Sequence, residues 1–354
     1  MNKSLYILFA LIIAFSIETK AGNPDRQGEA GALQLLMNPW ALSSGFHSLN
    51  TANISGIESL RLNVAGLSFI NKTELNFSRG IYFSGSEIYM SGAGLAQRVG
   101  KNGVLGISIM ALDFGDIPVT TVSQPEGLNA TFSPLFTNLG FSYAHLFTNE
   151  ESNSQISVGA TARVVSESST NVSANGLALD AGIQYRNENV KLGISLRNIG
   201  TPLRYSGEGL SLPLLSPNSK TIMTIQQRSA RYELPSVLNI GLSYDVNINE
   251  QNKLTFVGNF TSNSFSRDEA GGGLEYSFMS PYGTFQVRGG YRYSLGQDAS
   301  PEIEGSVYTG IAGGASIQVP TSKKNKDNKI AFDYAYRATK VYGGTHNIGV
   351  RLSL

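Results

Sequence analysis

The last twelve residues, Gly343 to Leu354, put His346, Ile348, Val350, Leu352 and Leu354 on one face and Asn347, Gly349, Arg351 and Ser353 on the other. This period of two marks a strand with one apolar and one polar side. It recurs. Val190, Leu192, Ile194 and Leu196 oppose Lys191, Gly193, Ser195 and Arg197. Phe285, Val287, Tyr291 and Tyr293 oppose Gln286, Arg288, Gly290 and Arg292. From Lys72 onward fourteen segments read as strands: 72–79, 86–97, 103–113, 137–148, 154–166, 175–187, 189–199, 235–247, 252–263, 269–279, 284–294, 304–319, 329–337 and 343–354. The third, Val104 to Leu112, is apolar on both faces and alternates poorly. A terminal strand of bilayer-crossing length is what a membrane barrel needs to close on its first strand.

Composition narrows the class. Charged residues make up 15% of the chain, against roughly 25% in soluble domains. Glycine is abundant, and 16 Tyr and 17 Phe stand against one Trp. Beyond the N-terminus no apolar run is long enough for a transmembrane helix. These features fit an all-β, 14-stranded antiparallel transmembrane β-barrel; a large soluble β-solenoid or β-sandwich is the competing class. A net charge of +1 gives no footing for nucleic-acid binding. The absence of cysteine removes disulfides, thiolate metal sites and thiol nucleophiles.

Three divisions follow. Residues 1–21, with Lys3, an apolar run from Leu5 to Ile17 and Thr19-Lys20-Ala21, read as a signal peptide. Residues 22–71 are semi-apolar and irregular, and in a barrel they form a plug in the lumen. Residues 72–354 form the barrel. Connection lengths support this, because bacterial barrels have short periplasmic turns and longer outer loops. The even connections are short, whereas the odd ones include the two longest, Phe114–Phe136 and Gly200–Leu234. An outer-membrane location with both termini periplasmic is expected.

One polar face carries Arg163, Arg186, Arg197, Arg288, Arg292, Arg337 and Arg351 with Asp180, Asp245, Glu275 and Asp333. An Arg or Lys facing mid-bilayer lipid costs roughly 2–4 kcal/mol, so this face must point into the lumen. There it forms either an ion-pair lattice packed against the plug or a charged channel.

Candidates for chemistry are few. His47, His145 and His346 have no partners at triad or metal-ligand spacing. The glycines of 271–273 and 310–315 match no phosphate-binding pattern and are expected to relieve crowding or allow curvature. No enzyme, cofactor or metal site is expected. The long loops are more informative: Phe132, Leu135, Phe136, Tyr205, Leu210, Leu212, Leu214, Leu215, Ile222 and Met223 are too apolar for solvated loops. Such patches mark a partner site, unless the loops bury one another over the barrel mouth.

The segment Gly28-Glu-Ala-Gly-Ala-Leu-Gln-Leu-Leu-Met-Asn-Pro-Trp-Ala41, with Ser43-Ser-Gly45 and Asn63-Val-Ala-Gly-Leu67, resembles the N-terminal signature of the PorV/PorQ family. Residues 198–203 and 234–244 resemble it too. The resemblance implies an outer-membrane protein of the Bacteroidota type IX secretion system on a FadL-like barrel. It implies binding to the translocon or to the C-terminal signal domains of exported cargo through the outer loops, with outer-membrane lipid as a further partner. The plug residues it points to are Asn38, Pro39, Trp40, Asn63 and Gly66. Val64 stands where relatives commonly carry proline, which predicts a less rigid plug backbone there. The alternative is a FadL-like transporter of hydrophobic small molecules.

Overall fold

The computed structural model describes residues 22–216, 221–296, 306–321 and 327–354. The expected signal segment 1–21 lies outside them. Fourteen strands close into one antiparallel barrel in chain order. They are β1 Thr73–Tyr82, β2 Ile88–Val99, β3 Gly103–Asp113, β4 Leu135–Asn149, β5 Ser154–Ser169, β6 Val172–Asn187 and β7 Val190–Gly200. The second half comprises β8 Val237–Asn247, β9 Asn252–Asn263, β10 Glu269–Ser280, β11 Gly283–Ser294, β12 Tyr308–Pro320, β13 Lys329–Thr339 and β14 Thr345–Ser353. The seam pairs Glu74–Ile81 of β1 with His346–Ser353 of β14.

Alternation settles which side chains meet lipid. On β7, Val190, Leu192, Ile194 and Leu196 are exposed on the outer wall, while Ser195 and Arg197 are buried inside. All eleven charges of the polar face are buried or half-buried, as lumen-facing groups must be. Much of the face is an ion-pair lattice. Arg163 pairs with Asp180, and Arg288 with Glu275 at 2.7 Å. Lys191 pairs with Asp245 at 2.7 Å.

β3 keeps its alternation despite its two apolar faces. Leu105, Ile107 and Ile109 face out, and Val104, Met110 and Leu112 face in. The inner three pack with Ile57, Leu60 and Leu67 from the segment before the barrel, so this sector of the lumen is dry. Leu135 and Phe136, expected in the first long loop, instead begin β4. The ladder continues past the expected end, pairing Leu135 with Asp113 and Phe136 with Leu112. Phe136 turns inward against Phe114, with ring centroids 5.0 Å apart. The hairpin of β5 and β6 likewise runs to Ser169 and Val172, beyond the expected ends.

Candidate functional site

Residues 32–70 lie inside the barrel and are almost wholly buried. The segment is irregular: two single-turn helices, Ala41–Ser44 and Ser59–Leu62, and a 3₁₀ stretch, Val64–Phe69. Irregular backbone leaves carbonyls and N–H groups free, and at membrane depth each needs a partner. The wall supplies them. Ser78 and Asn347 donate to the Pro39 carbonyl at 2.7 and 2.9 Å. Ser157 donates to Ala65 O, and Ser195 to Leu62 O, each at 2.7 Å. Gln184 spans Thr51 O and Ile54 O. In the other direction, Glu74 accepts the Ile57 N–H at 2.7 Å.

The segment also braces itself. Glu58 accepts the N–H groups of Leu42 and Ser43 at the start of Ala41–Ser44. Asn38 donates to Ser43 Oγ and Ser48 Oγ, while its own carbonyl accepts from the Tyr82 hydroxyl. Trp40 is fully buried beside Tyr82 and Met90. Asn63 caps the 3₁₀ stretch by accepting the Ala65 N–H, and its amide donates to Thr51 O and Ile183 O. Val64 occupies the first position of that stretch and is 3% exposed. Asn63 and close packing thus hold the backbone at Val64. Gly66 is obligatory, since a Cβ there would sit 2.3 Å from Ile54 O.

The seat is cut to fit by inward-facing glycines. A Cβ on Gly159 would meet the Val64 carbonyl at 2.9 Å. On Gly193 it would meet Thr51 O at 2.6 Å, and on Gly290 Phe46 O at 2.6 Å. At Gly271, Gly273, Gly310 and Gly314, among the strand glycines expected to relieve crowding, a Cβ would first meet a neighbouring strand's carbonyl, that of Tyr291, Gly289, Arg292 and Tyr334 respectively.

Two chambers flank the plug. The one at the short-turn end is lined by Glu58, Glu74, Lys191, Glu275 and Arg351, among others. The other lies toward the long loops and borders Met37, Arg61, Arg197 and Arg337.

The barrel wall carries a third feature. On its outer face, Ala160, Ala162 and Ala181 form the low ground of an apolar recess of about 580 Å3. Phe141, Leu179, Leu196 and Ile199 rise around it, and Thr161 and Asp180 reach its floor. The recess overlies a β-bulge. Leu179 pairs with Ile199 but Ala181 pairs with Leu196, so Asp180 faces both Arg197 and Asn198. Asn198 takes a left-handed backbone conformation, φ 61°. On the lumen side of the same stretch, Ala178 and Val165 pack with Leu35, Leu203 and Leu234 in an apolar cluster under the second long loop. Apolar side chains therefore lie on both sides of the wall where its ladder is irregular, packed inside and open outside.

The expected loop residues divide. Tyr205 ties the second loop down, its hydroxyl donating to Glu167 at 2.7 Å and its ring packing on Tyr232. Phe132 belongs to a small bridge of Ile117–Pro118 with Thr131–Phe132 and is half-buried. Leu210 ends a short turn and is half-buried. Leu212, Leu214, Leu215, Ile222 and Met223 stand on a protruding hairpin, Ser211–Leu215 with Ile222–Gln226, and all are exposed. Register puts Leu212, Leu214, Met223 and Ile225 on one face and Leu215 with Ile222 on the other. The plug's Arg61 and Glu58 went unmarked in the sequence. Their signal was a charge amid apolar neighbours, as in Leu60-Arg61-Leu62.

No family model matches this sequence, and no curated protein matches it. Solved structures do. The chain is similar to the CymD monoaromatic hydrocarbon channel, at 15% identity and TM-score 0.54, over 88% of this chain and 95% of that one. It is similar to a Pseudomonas aeruginosa FadL homologue, at 11% identity and TM-score 0.53, over 88% and 98%. It is also similar to the Ralstonia pickettii toluene transporter TbuX, at 12% identity and TM-score 0.53, over 89% and 97%. At such identities the likeness establishes the fold, a FadL-like fourteen-stranded barrel. The PorV/PorQ resemblance rests on the sequence segments named above, and these comparisons add nothing to it.

Proposed function

We propose that this protein is an outer-membrane barrel, with both termini periplasmic, that passes small hydrophobic molecules through its wall into the membrane. The observation that carries the reading is the pairing of apolar surfaces across the β6–β7 bulge: the Leu35, Leu203 and Leu234 cluster inside and the alanine-floored recess outside. A bulge interrupts the ladder and re-aims the strand, which makes it the natural place for a wall to part. The plug closes the direct route along the axis and leaves the lateral one. The similar structures named as hydrocarbon channels and toluene transporters support the same reading.

The test is to fill the recess from the lipid side. Ala162→Trp with Ala181→Trp places two large apolar side chains on an outer wall that tolerates them. Uptake of a monoaromatic probe into cells or proteoliposomes is expected to fall to background while the barrel assembles normally. Undiminished uptake sinks the proposal.

A second reading keeps the PorV/PorQ resemblance: a non-enzymatic secretion component that binds the translocon or cargo C-terminal domains. The protruding hairpin favours it, because the apolar face of Leu212, Leu214, Met223 and Ile225 is exposed and has no cover among the described residues. Affinity purification in mild detergent, with mass spectrometry of proteins and lipids together, separates the two. Secretion-system proteins lost on deletion of 211–226 favour the second, and lipid or hydrocarbon alone favours the first.

A further inference from the structure

The chamber toward the long loops is built from cations. Arg61 comes from the plug, Arg197 from β7, Arg292 from β11 and Arg337 from β13, and all four border one cavity of about 230 Å3. Among the described residues Glu269 is the single carboxylate on that lining, and it pairs with Arg292 at 3.3 Å. The nearby Asp180 pairs with Arg163. Among the described residues, no carboxylate lies within ion-pair distance of Arg61, Arg197 or Arg337.

These three arginines are 2%, 9% and 4% exposed, so bulk water does not balance them. Their partners are neutral. Arg61 donates to Met37 O and Gln34 O, which leaves Nη1 without a partner. Arg197 donates to Arg61 O, and Arg337 to the Tyr82 hydroxyl, and in each the Nε is unpartnered. A guanidinium does not shed its proton to escape burial. Among the described residues the chamber therefore has a surplus of positive charge, and each of the three guanidiniums around it keeps a nitrogen without a hydrogen-bond partner.

We propose that this chamber binds the oxyanion group of a small ligand, a phosphate, sulfate or carboxylate, clamped between plug and wall. Guanidinium forks match such groups bidentately. The cavity is smaller than the roughly 300 Å3 at which drug-sized ligand pockets begin, so it suits a free oxyanion or one charged headgroup. Because Arg61 belongs to the plug and the other three arginines to the wall, the bound anion fastens one to the other. This holds whether or not hydrophobic molecules cross the wall at the bulge.

Trp40 supplies the readout. It is the one tryptophan in the sequence and is buried in the plug. Barrel in neutral detergent is heated with low-millimolar inorganic phosphate, or with chloride at matched ionic strength, where general salting effects are negligible. Phosphate is expected to raise the Trp40 transition by about 3 °C or more over chloride. The shift disappears in Arg197→Gln and in Arg337→Gln. Calorimetric titration of phosphate into the wild-type protein gives one saturable site and does not depend on the variants folding. A parallel arm uses an alkyl phosphate. A shift with inorganic phosphate supports the site with a free ion as ligand. A shift with the alkyl phosphate alone supports the site with a membrane amphiphile as ligand. Equal transitions in phosphate, alkyl phosphate and chloride overturn the proposal, as does a phosphate shift that both variants retain.

Discussion

Asp180 Oδ1 accepts the backbone N–H of Asn198 at 2.7 Å, across the point where β6 and β7 fall out of register. One carboxylate therefore does two jobs. Its first oxygen replaces a ladder bond that the bulge removes, and its second pairs with Arg163. Arg163 in turn donates to the plug at Leu60 O. Wall, bulge and plug are joined through the Asp180–Arg163 pair.

Asp180→Ala breaks both links and leaves the Arg163 guanidinium, 1% exposed, without its partner. Removing one member of a buried pair costs about 3–5 kcal/mol, whereas replacing both with apolar groups is often close to neutral. Asp180→Ala with Arg163→Leu is therefore expected to be less destabilising than Asp180→Ala alone. Urea unfolding of the four proteins of the double-mutant cycle measures this. An additive cycle would show that the two side chains do not act as a pair.

The glycine seat predicts a contrast between two substitutions of the same kind. Gly193→Ala puts a methyl 2.6 Å from Thr51 O, backbone against backbone, with no flexible side chain to yield. Overpacking of this kind costs about 1–3 kcal/mol. Gly258→Ala meets nothing nearer than Gly271 O at 4.0 Å and is expected to be silent. The Trp40 transition should fall for Gly193→Ala while the folded barrel keeps its electrophoretic mobility. Equal behaviour of the two variants would mean that the plug is not seated as described.

His47 makes plug stability depend on pH. It sits in the plug at φ 56°, its ring 5.5 Å from that of Tyr308 and its Nε2 unpartnered. Burial first, then Arg292 and Arg337, hold the imidazole well below its usual value near 6.5. The unfolded chain takes up a proton near 6.5 that the folded chain refuses. The stability is thus present above that pH and lost as pH falls below it. Unfolding followed at Trp40 from about pH 7.5 to 5 should show this decline. His47→Asn keeps a residue at ease in the left-handed region and should flatten it. A decline of the same size in the variant would assign it to other groups.

Much of the barrel was legible because lipid enforces alternation: fourteen segments, their order and the inward charges could all be read. What escaped reading came from the plug and from local geometry. β3 seemed to lose its pattern because its inner face, Val104, Met110 and Leu112, meets Ile57, Leu60 and Leu67 instead of water. Asp180 read as one lumen charge among several, since a bulge leaves no mark on a period of two beyond a slip at its end. Leu135 and Phe136 read as loop because both are apolar and so break the alternation, yet the ladder to β3 runs through them and Phe136 packs inward on Phe114. Arg61 stood outside any periodic segment, so no pattern aimed it at a wall.

The closing strand gives the last prediction. Leu352 pairs with Leu75 and Ser353 with Glu74, and Leu354 exchanges two backbone hydrogen bonds with Thr73, at 2.8 and 3.1 Å. Removing residues 352–354 strips partners from the first turn of β1 and exposes an unpaired strand edge where the barrel must seal. Glu74 sits at that edge, and it accepts the Ile57 N–H, so the damage reaches the plug. The truncated chain is expected to be absent from the outer-membrane fraction and to lack the heat-modifiable mobility of a closed barrel. Leu352→Phe, which keeps an apolar group and the backbone ladder, should assemble. Normal surface levels of the truncation would show that the seam closes without its final three pairs.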